Sequence, residues 1–276
     1  MISRYVLSTT SGKILISNKG AKILRWEIFD KNKEGISIIE SEDRIDRWFE
    51  SAVLFPWVNR LENGTSILKN KSIKLSDFDE GLHGLVFDAD FECSFQSENK
   101  IVLRLVPNQL NVFPFSFDFQ VTYELLEDGL SVYFKVENKD AVVMPFAAGW
   151  HPYFLLPDDA IISIENAEKF SLDEQLLPTG KSELIADLTY NMQNEPDDLL
   201  FIKNGKVNVK STQFELEIST QKMPFFQFFQ DKRHQGFAME ALSGAGNCLN
   251  NKIGLLEIEP NSVWEGRVEV NFKLEV

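Results

Sequence analysis

The stretch Val263-Trp264-Glu265-Gly266-Arg267-Val268-Glu269-Val270-Asn271-Phe272-Lys273-Leu274-Glu275-Val276 decides the fold class. Its residues Trp264, Val268, Val270, Phe272, Leu274 and Val276 fall on one face; Glu265, Arg267, Glu269, Asn271, Lys273 and Glu275 fall on the other. Side chains of an extended strand alternate between faces, so this period of two describes a half-buried antiparallel strand. Leu130-Ser131-Val132-Tyr133-Phe134-Lys135-Val136-Glu137-Asn138 repeats the alternation after the turn Glu127-Asp128-Gly129. Residues 115–125 supply a strand before that turn, and the two make a hairpin. Further short strands are expected over 101–106, 207–209 and 214–218. Helical periodicity is weak, and a helical turn or two is expected only over 40–52. Many short strands separated by turn signals predict an all-β sandwich of large antiparallel sheets.

Composition narrows the class. A chain of 276 residues fits one large β domain, and neither an internal repeat nor a low-complexity linker divides it. Residues 1–276 are therefore expected to form a single domain. Hydrophobic residues make up 43% and include 23 Phe, which favours thick sheet-on-sheet packing. Lys and Arg number 28 against 42 Asp and Glu, a net charge of −14. Nucleic acid and anionic membranes need a basic footprint, so neither is an expected partner. Cys93 and Cys248 give no disulfide framework and no metal-ligand spacing. Met1-Ile2-Ser3-Arg4-Tyr5 reads directly into a strand pattern without an apolar leader core. No run approaches the roughly 18 apolar residues of a membrane span. A soluble cytoplasmic protein, monomer or homodimer, is the expectation.

Four places could carry chemistry. In Ala147-Ala148-Gly149-Trp150-His151-Pro152-Tyr153-Phe154, a histidine sits between an aromatic and a proline. Proline drives the preceding residue out of the helical region, which predicts His151 at a strand end or turn, among aromatics and close to solvent. It reads either as a packed histidine or as a proton carrier near neutral pH. Phe55-Pro56-Trp57-Val58-Asn59-Arg60-Leu61-Glu62-Asn63-Gly64 presents Arg60 after a proline turn, either as a surface ion pair or as a fork for ligand oxygens. Leu82-His83-Gly84-Leu85 holds a second histidine beside a glycine that permits close backbone approach. Gly236-Phe237-Ala238-Met239-Glu240-Ala241-Leu242 places one carboxylate in an apolar strand. Glu240 either points to a solvated face or is buried, where pairing or a raised pKa would suit a general base.

Taken together, these segments resemble the aldose 1-epimerase (galactose mutarotase) family, in the family's order and over nearly the whole chain. Phe55-Pro56-Trp57-Val58-Asn59-Arg60 with Gly64 resembles its proline, Asn-Arg and glycine segment, and Leu82-His83-Gly84 its His-Gly motif. Phe113-Pro114-Phe115-Ser116-Phe117, with Tyr123 and Leu125, resembles the strand pair leading to Gly-x-His-Pro-Tyr-Phe, which stands complete as Gly149-Trp150-His151-Pro152-Tyr153-Phe154. Leu177-Pro178-Thr179-Gly180 matches a loop signature, and Asp197-Asp198-Leu199-Leu200-Phe201 resembles an Asp-x-x-Phe segment. Glu240, Asn247 and Glu259-Pro260-Asn261 resemble the C-terminal catalytic block.

The resemblance implies a galactose-mutarotase-like supersandwich and an acid/base isomerase of free hexoses such as glucose or galactose, with no cofactor and no metal. Glu240 would be the base at the anomeric hydroxyl and His151 the acid at the ring oxygen. Arg60, His83 and Asp198 would bind the sugar. The chain departs from the family's pattern at Ala241, where a proline is common, and in the bulk of Trp150. Alternatives are an epimerase of a hexose 6-phosphate, for which Lys232 and Arg233 offer a cation pair, and a carbohydrate-binding protein without chemistry. The third histidine, His234 in Asp231-Lys232-Arg233-His234-Gln235, reads as part of a polar hairpin turn whose replacement should leave turnover unchanged.

Overall fold

Sequence alternation becomes strand among the described residues. The computed structural model describes residues 2–42, 49–75, 81–106, 112–192, 199–203, 206–231 and 233–274. Among these, helix is confined to a three-residue 3-10 turn at Glu62–Gly64 and a four-residue helix at Cys248–Asn251. In the stretch 40–52, where the sequence predicts a helical turn, Glu40 ends one strand and Ala52 begins another; residues 43–48 lie outside the described set.

The first four strands, Arg4–Ser8, Gly12–Ser17, Ile23–Phe29 and Gly35–Glu40, form an antiparallel sheet in sequence order. Most of the remaining strands join one 15-stranded sheet. The strand Val263–Leu274 lies inside it, between Gly129–Asn138 and Phe214–Gln221, with Val270 opposite Leu130 on one side and Ile218 on the other. Trp264, Val268 and Val270 are buried and Glu265 is exposed, as the alternation requires. The expected hairpin is also present: Phe117–Leu126 pairs with Gly129–Asn138, and Leu126 faces Gly129 across a loop of Glu127 and Asp128.

Phenylalanine content is spent where the layers meet. Trp26 and Ile39 of the four-stranded sheet share one buried cluster with Phe119, Phe134 and Val268 of the large sheet. Phe55 stacks on Phe119 at 4.6 Å between ring centroids, 13° from parallel, and tilts against Phe146 at 5.8 Å. Each fully buried side chain of this kind contributes about 1.5–3 kcal/mol of transfer free energy. A polar tie crosses the same interface, where the buried Tyr123 hydroxyl donates to the Ala21 carbonyl at 2.7 Å. A smaller apolar cluster of Phe49, Leu54, Phe225, Leu242 and Cys248 lies apart from the main core. Its members flank the strands that carry Glu240 and His151.

Chain order and spatial order are heavily interleaved. Ala52–Leu54 pairs with Gly149–His151, which pairs with Phe237–Leu242. No cut in the middle of the sequence leaves both fragments with complete sheets. Limited proteolysis is therefore expected to yield no pair of stable halves; two fragments that each stay folded after separation by gel filtration would overturn this expectation.

Candidate active site

Strand register brings the first two groups together. Gly149 and Trp150 pair with Leu242 and Ala241, and beyond Pro152 the chain resumes with Tyr153 opposite Ala238. The same register holds on both sides of the proline, so His151 faces Glu240 across neighbouring strands. Their side chains meet, with His151 Nε2 3.3 Å from Glu240 Oε1. The strands pack closely beside the pair, where a Cβ on Gly149 would lie 2.6 Å from Leu242 Cδ2 and 3.1 Å from the Ala241 carbonyl oxygen. On the far side of the same strand, Gln227 stands opposite Glu240 and is also buried. His151, Glu240 and Gln227 thus form a polar row across three strands inside an apolar sheet.

His83 arrives from a different segment. It takes a left-handed backbone at φ 65°, followed by Gly84 at φ 84°. Non-glycine residues seldom sit there, and such strain concentrates at functional positions. A Cβ on Gly84 would meet the Phe55 carbonyl oxygen at 2.3 Å, so only glycine fits. The His83 N–H donates to the Asn59 carbonyl at 2.8 Å, locking the two loops together. The His83 ring stands edge-on to His151, with centroids 4.7 Å apart, and packs against Phe49 at 4.9 Å.

Arg60 is half-buried in the adjoining loop. Its carbonyl accepts the Asn247 N–H at 2.7 Å, and Asn247 Oδ1 accepts the Glu62 N–H at 3.0 Å. The C-terminal block therefore braces the arginine loop. No ion pair of Arg60 is present among the described residues. Asp198 lies outside the described residues, as does Lys232.

Burial controls the electrostatics. His83, His151 and Glu240 are each under 5% exposed, at 4%, 3% and 2%. Desolvation is the foremost cause that pushes His151 from an ordinary 6.5 down to about 3. Burial likewise holds His83 well below the usual histidine range, reinforced by the charges of His151 and Arg60. Both imidazoles are neutral at pH 7. The Nδ1 atoms of His83 and His151 are buried with no hydrogen-bond partner among the described residues. Orphaned polar atoms of this kind are rare in a settled core and mark a place that a ligand can complete. Ligand atoms of His83, His151 and Glu240 lie within 4.8 Å of one another, close enough to be candidate ligands of one metal ion.

One expectation is corrected, and one open alternative, the buried reading of Glu240, is what the structure shows. His151 is not close to solvent, because Ala52–Leu54 and the Tyr153 ring close over it. Glu240 does not face water, because every residue of Phe237–Leu242 is buried; the sheet is covered on both faces there. Sequence reasoning missed Gln227, although the signal was available: one amide within Phe225-Phe226-Gln227-Phe228-Phe229 is the same anomaly as Glu240. It also placed His234 in a turn without foreseeing that its side chain folds inward onto Glu50, at 2.6 Å.

Over residues 3–270 the sequence matches the aldose 1-epimerase family. The chain belongs to that family. It is 25% identical over 227 residues to the uncharacterized protein YihR of Escherichia coli K12, spanning 75% of this chain and 74% of YihR. The aldose epimerase homologue of C. elegans superposes with a TM-score of 0.86 at 15% identity, over 99% of each chain. A galactose 1-epimerase from Lactobacillus acidophilus NCFM superposes at 0.76 with 18% identity, over 100% of this chain and 99% of that one. These likenesses establish the galactose-mutarotase-like all-β fold. No helix among the described residues is long and apolar enough to cross a membrane.

The two neutral, buried histidines set an acid limit on stability. An unfolded histidine takes up a proton below about 6.5, whereas folded His151 resists until about 3. The unfolded state then binds more protons, so stability falls as pH drops through this window. Melting temperature should decline progressively from pH 6.5 downwards. Replacing both His83 and His151 by Gln should flatten that slope; an unchanged slope would show that neither histidine is held neutral.

Proposed function

We propose that this protein interconverts the α and β anomers of a free aldohexose such as glucose or galactose by acid/base ring opening. The observation that supports it most is the buried contact of 3.3 Å between the His151 imidazole and the Glu240 carboxylate, beside His83 and Arg60. A pair of titratable groups of opposite kind, held at one place away from water, suits a reaction that moves one proton off an oxygen and another onto its neighbour.

The steps balance within the pair. The scheme begins when sugar binds and His151, neutral in the free site, takes up one proton from solvent beside the ionised Glu240. Glu240 removes the proton from the anomeric hydroxyl while His151 gives its proton to the ring oxygen, and the bond from C1 to that oxygen breaks. C1 becomes an aldehyde carbon. Rotation about C1–C2 presents its other face, the former ring hydroxyl attacks, and both protons return. The pair holds one proton throughout, as an ion pair before opening and as a neutral acid and imidazole after it. Burial disfavours the ion pair relative to the neutral pair, which narrows the free-energy gap to the open-chain state. The depressed pKa of His151 is the physical sign of that bias. No metal or redox group is needed for any step.

Arg60, His83 and Asp198 are assigned to hold the sugar hydroxyls and keep the open chain from escaping; such positioning is worth as much as the proton transfers. A free sugar is favoured over a sugar phosphate, since the net charge is −14 and Arg233 Nε is already engaged by Asp231 at 2.8 Å.

Polarimetry on freshly dissolved α-glucose and α-galactose tests the activity directly. Glu240→Gln and His151→Asn should each lower turnover by roughly 100-fold or more while remaining folded. Asp198→Asn should chiefly raise KM. A wild-type protein that binds sugar without accelerating mutarotation would be a carbohydrate-binding protein. Near-normal turnover in Glu240→Gln alongside an inactive Asp198→Asn would reverse the two assignments.

A further inference from the structure

The third histidine lies next to this centre and takes no part in the scheme above. His234 sits between the strands Phe225–Phe229 and Phe237–Leu242, and its side chain is only 8% exposed. The Gly236 N–H donates to His234 Nδ1 at 2.9 Å, so that nitrogen carries a lone pair and the ring proton resides on Nε2. Nε2 lies 2.6 Å from Glu50 Oε1, and Glu50 Oε2 accepts the Glu42 N–H at 2.8 Å. Burial pushes the Glu50 carboxyl up, but the hydrogen bonds from His234 and Glu42 outweigh it and hold it below its ordinary value. The tautomer and ring plane of His234 are fixed by these neighbours. Such a buried carboxylate and imidazole would be costly to retain as filler.

What the pair touches gives it a purpose. The His234 ring tilts onto Tyr153, with centroids 4.1 Å apart, and Tyr153 stacks on His151 at 5.1 Å and 25°. Gly236 makes room for the stack, since a Cβ there would lie 2.8 Å from Tyr153 Cβ and 3.3 Å from His234 Cε1. A second route runs through the backbone: Ser51, next to Glu50, donates its N–H to the His151 carbonyl at 2.9 Å. His151 needs this support. Its Nε2 lies 3.3 Å from Glu240 Oε1, and its Nδ1 has no hydrogen-bond partner among the described residues, so the surfaces packed against the ring help to set the imidazole plane.

We infer that His234, locked by Glu50 and the Gly236 N–H, is a positioning residue that sets the plane of the His151 ring through the face of Tyr153. The inference rests on His151 being the acid of the proposed reaction. It reverses the sequence-based expectation that His234 is dispensable. A misplaced acid loses rate rather than substrate affinity, so the two Michaelis parameters should separate.

The test is a double-mutant cycle on the full chain, with thermal melts confirming that each variant is folded. His234→Ala and Glu50→Ala should each lower kcat by roughly tenfold to 100-fold with KM little changed. The double variant should be no worse than the poorer single one, because residues acting as a unit are not additive. Glu50→Gln keeps an oxygen to accept from Nε2–H and should restore most of the rate. Should His234→Ala melt below assay temperature, the volume-preserving His234→Phe takes its place with the same expected loss. The chain has 3 histidines, so the imidazole signals of His151 can be followed by NMR, and they should shift in His234→Ala. A folded His234→Ala with wild-type kcat and unmoved His151 signals would overturn the inference, as would additive losses in the double variant. A wild type without mutarotase activity defeats the reaction scheme instead, and the NMR arm still reports on the ring.

Discussion

A carboxylate and an imidazole facing each other inside a sheet that is covered on both sides is the constraint on which the rest of this structure depends. Neither Glu240 nor His151 would be placed at 2% and 3% exposure by the hydrophobic effect alone, since burying a charge or an unpaired polar group costs several kcal/mol. Each is tolerated because the other stands across the strand pair. The sheet must then hold these two strands in one register, because a slip of one residue would send both side chains to the opposite face. Pro152 interrupts the ladder without changing that register, and Tyr153 resumes it opposite Ala238.

Around this pair the backbone gives way to the site in small, costly steps. His83 accepts a left-handed conformation, and Gly84 beside it has room for no side chain at all. Asn247 and Asn59 spend their hydrogen-bonding groups on the loop that carries Arg60. The residues doing this come from segments nearly two hundred positions apart, joined by strands that cross the whole sheet. A large antiparallel sandwich suits such a site because its rigid ladder fixes distances that loops alone would leave loose. The aromatic column from His234 through Tyr153 to His151 extends the same logic, with ring faces instead of hydrogen bonds setting an orientation.

Much of this is legible in the sequence. Period-two alternation in Val263–Leu274 and Gly129–Asn138 gave strands whose buried faces match the apolar residues, because side-chain direction in a strand is a local property. Lone polar residues in apolar surroundings identified His151 and Glu240, since a buried charge needs a reason wherever it occurs. The same logic would have found Gln227 in its run of phenylalanines. His151 was misjudged as near solvent because proline marks a strand end locally, and nothing local says which distant strand will cover that end. His234 was misjudged for the opposite reason: its neighbours Asp231, Arg233 and Gln235 are polar, while its side chain turns away from them toward Glu50, 184 residues earlier.

The sequence by itself determined the fold class, the family and the chemical kind of the candidate residues, because alternation, composition and motif order are written along the chain. Only the tertiary structure decided that His151 and Glu240 touch, that both histidines beside the carboxylate are neutral, and that His234 stands behind Tyr153. The reason is physical: strand identity follows from neighbours two residues away, but burial, pKa and contact are set by strands paired across the sheet. Desolvation has no one-dimensional signature.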